Sequence, residues 1–163
     1  MGAHGVFDEL AARLGEELLL RGWTLASAES CTGGWIAQVV TSVAGSSAWF
    51  DRGYVSYSNA AKQDLLGVQA MTLERHGAVS AETAAEMAAG ALVRAGVDCA
   101  LAVTGIAGPG GATPGKPVGL VWFAWATRTG GVTTGSQIFA GDRRAVRAEA
   151  VRYALTGLLD LLS

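Results

Sequence analysis

Charged side chains are scarce in this sequence of 163 residues: only 16% are ionised, and the formal net charge is -2. The chain therefore lacks the basic field that attracts a phosphate backbone, and we expect no nucleic acid partner. Only two cysteines occur, Cys31 and Cys99, and their spacing matches neither a zinc knuckle nor a disulfide framework. We therefore expect a reduced protein with no metal and no cofactor.

Long apolar runs are also missing. The longest strongly apolar stretch, residues 118–126, is far shorter than the ~20 residues that a helical membrane span requires. Asp8 and Glu9 interrupt the N-terminal region, which therefore does not resemble a signal peptide. These absences predict a cytoplasmic protein without a membrane segment. Half of the residues are hydrophobic, which is enough for one buried core, and we expect residues 1–163 to form a single domain.

Helical and strand patterns alternate along the chain. Phe7, Leu10, Leu14 and Leu18 share one face of a first helix that Gly22 ends. Strands are predicted over residues 23–29, 52–57, 98–104, 118–127 and 132–140, and further helices over residues 35–43, 59–67, 71–76, 80–95 and from 142 onward. The last two strands form an antiparallel hairpin, so that one strand opposes the others. This order predicts a three-layer α/β sandwich with a mixed, mostly parallel sheet.

Polar segments follow three of the predicted strands, and active sites of open α/β sheets collect beyond such strand ends. Ser30 lies where the first strand turns into a helix, and the glycines after it allow a ligand to approach the backbone. Ser30 is therefore a candidate nucleophile, with main-chain N–H groups of residues 31–34 as oxyanion donors. Alternatively, Ser30 or Thr32 only caps the helix, which is the commoner role of a serine in this position.

A histidine base for Ser30 is hard to find, because His4 is close to the N-terminus and His76 is near a turn. Lys62 is a better candidate. With Asn59 as N-cap it occupies the third helical position, where the helix dipole disfavours an ammonium and lowers its pKa. A neutral lysine can accept the proton of a serine. The alternative, an ordinary lysine facing solvent, is favoured by position alone.

Three further groups are candidates for the same site. Thr104 ends the most hydrophobic strand, and its hydroxyl could bridge nucleophile and base or donate to substrate. Cys31 is a rival nucleophile if a helix start lowers the pKa of its thiol, although no histidine accompanies it. Arginines crowd the first turns of the last helix, where cations are unfavourable, so that an anion such as a phosphate would stabilise them; alternatively they are surface residues. They are Arg143, Arg144 and Arg147.

Six motifs occur along the chain: AESCTGG (28–34), YSNAAK (57–62), HGAVS (76–80), TGIAGP (104–109), KPVG (116–119) and FAGDR (139–143). In this order they resemble the CinA C-terminal family of nicotinamide-nucleotide amidases. The resemblance covers residues 14–159. It implies an α/β/α domain with a five-stranded mixed sheet and the conversion of nicotinamide mononucleotide to nicotinic acid mononucleotide and ammonia. Many members carry an additional N-terminal pyrophosphatase domain, which we do not expect here.

The resemblance also implies roles for individual residues. Ser30 matches the family nucleophile and Lys62 its base, with Tyr57 and Thr104 as neighbouring polar groups. We expect the remaining substrate-binding residues in the two glycine-containing loops and the last helix, namely Cys31, Thr32, Gly33, Gly34, Gly105, Ile106, Ala107, Gly108, Arg143 and Arg147. Two rival hypotheses remain: a nucleotide-binding module that regulates a partner, and an amidase for another small amide.

Five tryptophans are many for a chain of this size, and some of them are candidates for a subunit contact. We therefore expect a homo-oligomer, with a dimer favoured. The alternative is that these side chains fill the core.

Overall fold

The structure, a computed structural model, describes residues 5–163 and folds them into helices on both sides of one sheet. The helices are α1 (Val6–Arg21), α2 (Trp35–Thr41), α3 (Asn59–Leu66), α4 (Ala70–His76), α5 (Ala81–Ala95) and α6 (Arg143–Leu162). The strands are β1 (Leu25–Glu29), β2 (Phe50–Val55), β3 (Cys99–Gly105), β4 (Leu120–Thr127) and β5 (Gly131–Ile138).

The five strands lie in the order β2-β1-β3-β4-β5. β1 is parallel to both β2 and β3, whereas β4 is antiparallel to β3 and to β5. β4 alone therefore runs against the other four strands, as the sequence predicts. All five residues of β1 are buried, and so are the first six of β3, as expected for central strands covered on both faces.

Two apolar clusters cover the two faces of the sheet. α1, α2 and α6 pack on one face with leucines such as Leu14, Leu18 and Leu155. The opposite face is covered mainly by α5, whose alanines contact small residues of β1, β3 and β4. These layers confirm the predicted three-layer α/β/α sandwich. At Gly90 a Cβ atom would lie 1.8 Å from the Leu66 carbonyl oxygen, so glycine allows α5 to approach the end of α3 closely.

Several element boundaries differ from the prediction. β2 spans Phe50–Val55, so Ser56 and Tyr57 follow the strand instead of ending it. Ser58, and not Asn59, is the N-cap of α3, because its hydroxyl accepts a hydrogen bond from the Ala61 N–H at 3.0 Å. Lys62 is therefore the fourth helical residue. Ser80 caps α5 and Asp142 caps α6, since both side chains accept from main-chain N–H groups at their helix starts.

Two of the tryptophans belong to the core. Trp49 and Trp125 are 2% and 7% exposed, and the Trp125 indole donates to the Ala154 carbonyl oxygen at 2.9 Å. A subunit contact is thus not their role. Over residues 5–163 no helix is long and apolar enough to cross a membrane. Histidine, cysteine and acidic side chains of the same residues form no cluster that could hold a metal ion.

Candidate active site

Ser30 and Lys62 meet at the carboxyl ends of the parallel strands. Ser30 directly follows β1, and its N–H donates to the Val103 carbonyl oxygen in the neighbouring β3 at 3.0 Å. Lys62 reaches the same point from the first turns of α3, which begins shortly after β2. Its Nζ lies 2.9 Å from the Ser30 Oγ. The predicted nucleophile and base are therefore in direct hydrogen-bond contact across 32 residues of sequence.

The partners of the Lys62 amine are all neutral. Besides Ser30, the Nζ contacts the carbonyl oxygens of Ser56 at 3.0 Å and Tyr57 at 3.1 Å. A neutral amine has two N–H donors and one lone pair. The two carbonyls can accept the two N–H groups, which leaves the lone pair for the Ser30 hydroxyl. This coordination therefore suits an uncharged lysine that accepts a proton from Ser30.

Burial lowers the pKa of Lys62 from its ordinary value of 10.5, because desolvation penalises the ammonium form. A Cys31 thiolate would oppose this shift, but burial raises the pKa of that thiol to about 12, so the thiol is neutral near pH 7. The direction agrees with the prediction from the sequence, but burial is the leading cause, and Lys62 lies one position further into α3 than expected. Lys62 is 1% exposed, which excludes an ordinary solvent-facing lysine.

Neither Ser30 nor Thr32 caps α2, so the capping alternative is wrong. The N-cap of α2 is Gly34, which offers no side chain, and the Ser30 hydroxyl contacts Lys62 instead. The Thr32 hydroxyl donates to Glu29 Oε1 at 2.6 Å. Ser30 is 7% exposed and lines a cavity, which leaves its hydroxyl accessible to a small substrate.

Glu29 is a functional candidate that the sequence analysis did not single out. Its carboxylate is 1% exposed and accepts from the Thr32 hydroxyl, from the Ile36 N–H at 2.9 Å and from the Ala37 N–H at 3.0 Å. These bonds connect the end of β1 to the start of α2 and hold the intervening residues 30–34, which we call the nucleophile loop. A carboxylate at the end of a fully buried strand, three residues before a threonine, is the pattern that could have identified it.

Cys31 does not have the properties of a nucleophile. Its thiol is 6% exposed, and desolvation raises its pKa to about 12, so it is protonated near neutral pH. The predicted lowering of this pKa at a helix start is wrong, because burial outweighs the favourable main-chain environment. Cys31 instead lines the cavity beside Ser30.

The cavity at Ser30 has a volume of about 190 Å³. It brings together most of the residues expected from the sequence at the strand ends, with two residues of the segment before Ser80 as an additional wall. The lining residues are Ser30, Cys31, Tyr57, Asn59, Lys62, Ala78, Val79, Thr104, Gly105, Ala107 and Arg143. The structure thus places a hydroxyl, an amine and a guanidinium around one small space.

Thr104 and Tyr57 line the cavity, but their hydroxyls form hydrogen bonds with groups other than Ser30 and Lys62. The Thr104 hydroxyl donates to the Ala78 carbonyl oxygen at 2.8 Å, so it does not bridge nucleophile and base. It fixes the wall opposite Ser30 instead. The Tyr57 side chain is exposed, and its hydroxyl lies 3.1 Å from Arg143 Nη2. Arg143 also donates to the Gly108 carbonyl oxygen at 2.9 Å, which ties the glycine-rich loop after β3 to the edge of the cavity.

Several predicted binding residues lie outside this cavity. Arg147 donates to the carbonyl oxygens of Cys31 at 3.0 Å and Thr32 at 3.3 Å, so it supports the nucleophile loop from the other side. Ile106 is 9% exposed, and its N–H pairs with the Leu120 carbonyl oxygen, which is a structural role. Gly108 is not in the lining either, although its carbonyl oxygen accepts from Arg143. The other three, Thr32, Gly33 and Gly34, line a second cavity.

His76, the histidine among residues 5–163, takes no part in the described site. His76 ends α4, and its Nδ1 lies 3.7 Å from Glu82 Oε1. It is not among the residues that line the cavity at Ser30. His4 lies outside the described residues. Fold and site together define a three-layer α/β protein with a buried serine–lysine pair at the carboxyl ends of its parallel strands.

Comparison with known proteins gives the family. The model of the CinA C-terminal domain matches residues 7–162, and the chain belongs to this family. It is 55% identical over 147 residues to the nicotinamide-nucleotide amidohydrolase PncC of Enterobacter agglomerans, covering 90% of both chains. Its identity to the protein of the same name from Escherichia coli K12 is 53%, over 92% of this chain and 91% of the relative. The crystal structure of competence/damage inducible protein CihA from Agrobacterium tumefaciens superimposes with a TM-score of 0.94 at 48% identity, over 98% and 97% of the chains.

Proposed function

We propose that the protein hydrolyses the carboxamide of nicotinamide mononucleotide to nicotinic acid mononucleotide and ammonia, as part of pyridine nucleotide recycling. One observation carries this proposal: the Lys62 Nζ lies 2.9 Å from the Ser30 Oγ in a buried site where its other partners are main-chain carbonyls. An amine held in this way is a base for a serine nucleophile. The names of the relatives support the choice of amide.

The reaction has two halves. Ser30 Oγ attacks the carboxamide carbon while its proton passes to the Lys62 amine. The tetrahedral intermediate collapses, the C–N bond breaks, and the same proton passes from Lys62 to the departing nitrogen, which leaves as ammonia. In the second half Lys62 takes a proton from water, the resulting hydroxide attacks the Ser30 ester, and the carboxylic acid product departs as the proton returns to Ser30.

Main-chain N–H groups beside Ser30 are the proposed donors to the oxyanion. Within residues 5–163, the Gly33 N–H is already bonded to the Ser30 carbonyl oxygen, whereas the N–H groups of Cys31 and Thr32 donate to no main-chain acceptor. They are therefore free to stabilise negative charge on the carboxamide oxygen. Loss of one such donor typically costs ~100-fold or more in rate.

The small cavity suits one end of the substrate. Sites that enclose a whole ligand usually measure ~300–1,000 Å³, whereas the cavity at Ser30 has about 190 Å³. We infer that the nicotinamide ring enters and that the ribose and phosphate extend outward past Arg143 and the loop of residues 105–108. Tyr57 and Thr104 shape this cavity and do not transfer protons.

Ammonia release tests the proposal. Purified protein incubated with nicotinamide mononucleotide should liberate one ammonia per nicotinic acid mononucleotide formed, and Ser30→Ala should abolish this while retaining the fold and nucleotide binding. A protein that binds the nucleotide without turnover would instead be the regulatory module. Faster turnover of another amide in a panel would redirect the substrate assignment. The cytoplasmic location and the homo-oligomer stay predictions.

A further inference from the structure

A third cavity, of about 520 Å³, lies beside the cavity at Ser30. Thr104 lines the cavity at Ser30, and Trp122 lines the third cavity. These two residues are directly opposite each other in the antiparallel ladder of β3 and β4, so their side chains project from the same face of the sheet. Opposite residues of such a ladder have Cβ atoms about 5 Å apart. The two cavities are therefore neighbours, and we call the third one the outer cavity.

The outer cavity differs from the cavity at Ser30 in size and in exposure. Its charged lining residues, Arg75, His76 and Glu82, are all exposed to solvent. Ser30 and Lys62, in contrast, are buried. Water therefore has access to the outer cavity, and a substrate that extended from Ser30 in this direction would gain about 520 Å³ of space.

Val79 lies between the two spaces. Among residues 5–163 it alone lines both the cavity at Ser30 and the outer cavity. It is half-buried, and its side chain is branched at Cβ, which restricts it to few rotamers. Val79 therefore forms a stiff partition between a small reaction site and a larger space that is open to solvent.

The main chain on both sides of Val79 is held by side-chain hydrogen bonds. The Thr104 hydroxyl donates to the Ala78 carbonyl oxygen at 2.8 Å. The Gly77 carbonyl oxygen accepts from the Ser80 hydroxyl at 2.9 Å, and the same hydroxyl caps α5. Val79 therefore cannot move away from an entering group unless these bonds break.

We propose that Val79 determines the specificity of the amidase by limiting the size of the pyridine ring that can reach Ser30; this rests on the proposed function. The cavity at Ser30 measures only about 190 Å³, and Val79 closes it toward the outer cavity. An unsubstituted ring fits, whereas a ring with a methyl group on the side of Val79 collides with its side chain. Rejection of one methyl group typically changes kcat/KM by about 10- to 200-fold.

The test compares nicotinamide mononucleotide with three analogues that carry one methyl group, at carbon 4, 5 or 6 of the ring. Val79→Ala opens the partition, so kcat/KM for at least one analogue, relative to nicotinamide mononucleotide, should rise about tenfold or more. This ratio does not depend on the fraction of folded protein. Val79→Thr keeps the branched shape and should keep the parent's ratios. Val93→Ala is the matched control, because Val93 is 77% exposed on α5.

A binding measurement separates this proposal from the proposed function. Calorimetric titration of Ser30→Ala proteins, which cannot form the ester, should show that adding Val79→Ala raises the affinity for the same analogue relative to nicotinamide mononucleotide. Unchanged ratios of rate and of affinity in both Val79→Ala and Val79→Gly would overturn the size limit, even if the parent releases ammonia. If the parent releases no ammonia but the affinity ratio changes, the size limit stands and the amidase proposal fails.

Discussion

Two kinds of cationic group lie beside the nucleophile loop. Lys62 is 1% exposed, contacts neutral partners and has a pKa that burial lowers. Arg144 and Arg147 line an open cavity with Trp35, and guanidinium groups keep their charge at any ordinary pH. The difference teaches that burial prepares one amine to transfer protons, whereas exposed guanidiniums are suited to hold an anion.

The largest effect is expected when the amine of Lys62 is replaced by a guanidinium, because the difference between the two kinds of cation is then lost. Lys62→Arg places a permanent cation beside Ser30, so we expect kcat to fall by about 10³-fold or more, since general-base catalysis contributes ~10²–10⁴. We expect an equal fall in kcat for Lys62→Met. Initial rates of ammonia release measure the effect, with Lys116→Arg as control because Lys116 does not line the cavity at Ser30. Near-normal activity of Lys62→Arg would exclude the lysine as base.

Glu29 holds the nucleophile loop against α2, so its replacement should change both the stability of the protein and the position of Ser30. Glu29→Gln puts an amide N–H₂ where a carboxylate oxygen accepts from the loop and α2, which leaves donors facing each other. We expect a stability loss of about 1–3 kcal/mol and a fall in kcat of about 10- to 100-fold.

A role of Glu29 confined to folding would lower stability and leave the kcat of the folded protein intact. Chemical denaturation and steady-state kinetics on the same samples distinguish the two outcomes. Glu74→Gln is the matched control, because Glu74 is exposed and lies on α4.

Stability should depend on pH through Lys62. Its folded pKa is below the unfolded value near 10.5, so between these two values the unfolded chain binds more protons and stability rises with pH. Below the folded pKa, the full cost of charging the buried amine is present. The difference in unfolding free energy between parent and Lys62→Met should therefore change in favour of the parent by up to about 1.4 kcal/mol per pH unit in this window. A constant difference from pH 7 to 10.5 would contradict the lowered pKa.

The smallest effect is expected at the rim of the catalytic cavity. Tyr57→Phe removes the hydroxyl that lies 3.1 Å from Arg143, while the Tyr57 carbonyl still accepts from Lys62. We expect kcat/KM to fall only a few-fold, consistent with the ~1 kcal/mol of an ordinary hydrogen bond. Tyr153→Phe, which removes a hydroxyl bonded to Gln137, is the control. A loss approaching that of Lys62→Met would instead give Tyr57 a direct chemical role.

The proximity of Ser30 and Lys62 could be predicted from the sequence. Ser30 follows β1 and Lys62 follows β2, and the carboxyl ends of neighbouring parallel strands lie at the same edge of a sheet. The layers and the single opposed strand follow from equally local patterns. The five strands follow from such patterns too, and the family resemblance supplied the expected substrate. These features depend on periodicity and order, which a sequence displays directly.

Other features depend on contacts between distant residues and could not be read locally. The Thr104 hydroxyl bonds to Ala78, 26 positions away, instead of facing Ser30. Burial by the folded chain lowers the pKa of Lys62 and raises that of Cys31. Arg147 bonds to the nucleophile loop over more than 100 residues. Capping differed by one residue because Ser58 and Asn59 are both good caps, and only the backbone geometry selects Ser58.

The central claim is that Lys62 is a buried, easily deprotonated amine. The sequence contains two lysines, Lys62 and Lys116, so ¹⁵N NMR of the lysine side chains in the parent and in Lys116→Arg assigns the Lys62 resonance without ambiguity. We predict that Lys62 titrates below 10.5, and that the pH at which kcat/KM rises for ammonia release matches this value. Titration at or above 10.5, with activity still present at neutral pH, would contradict the account.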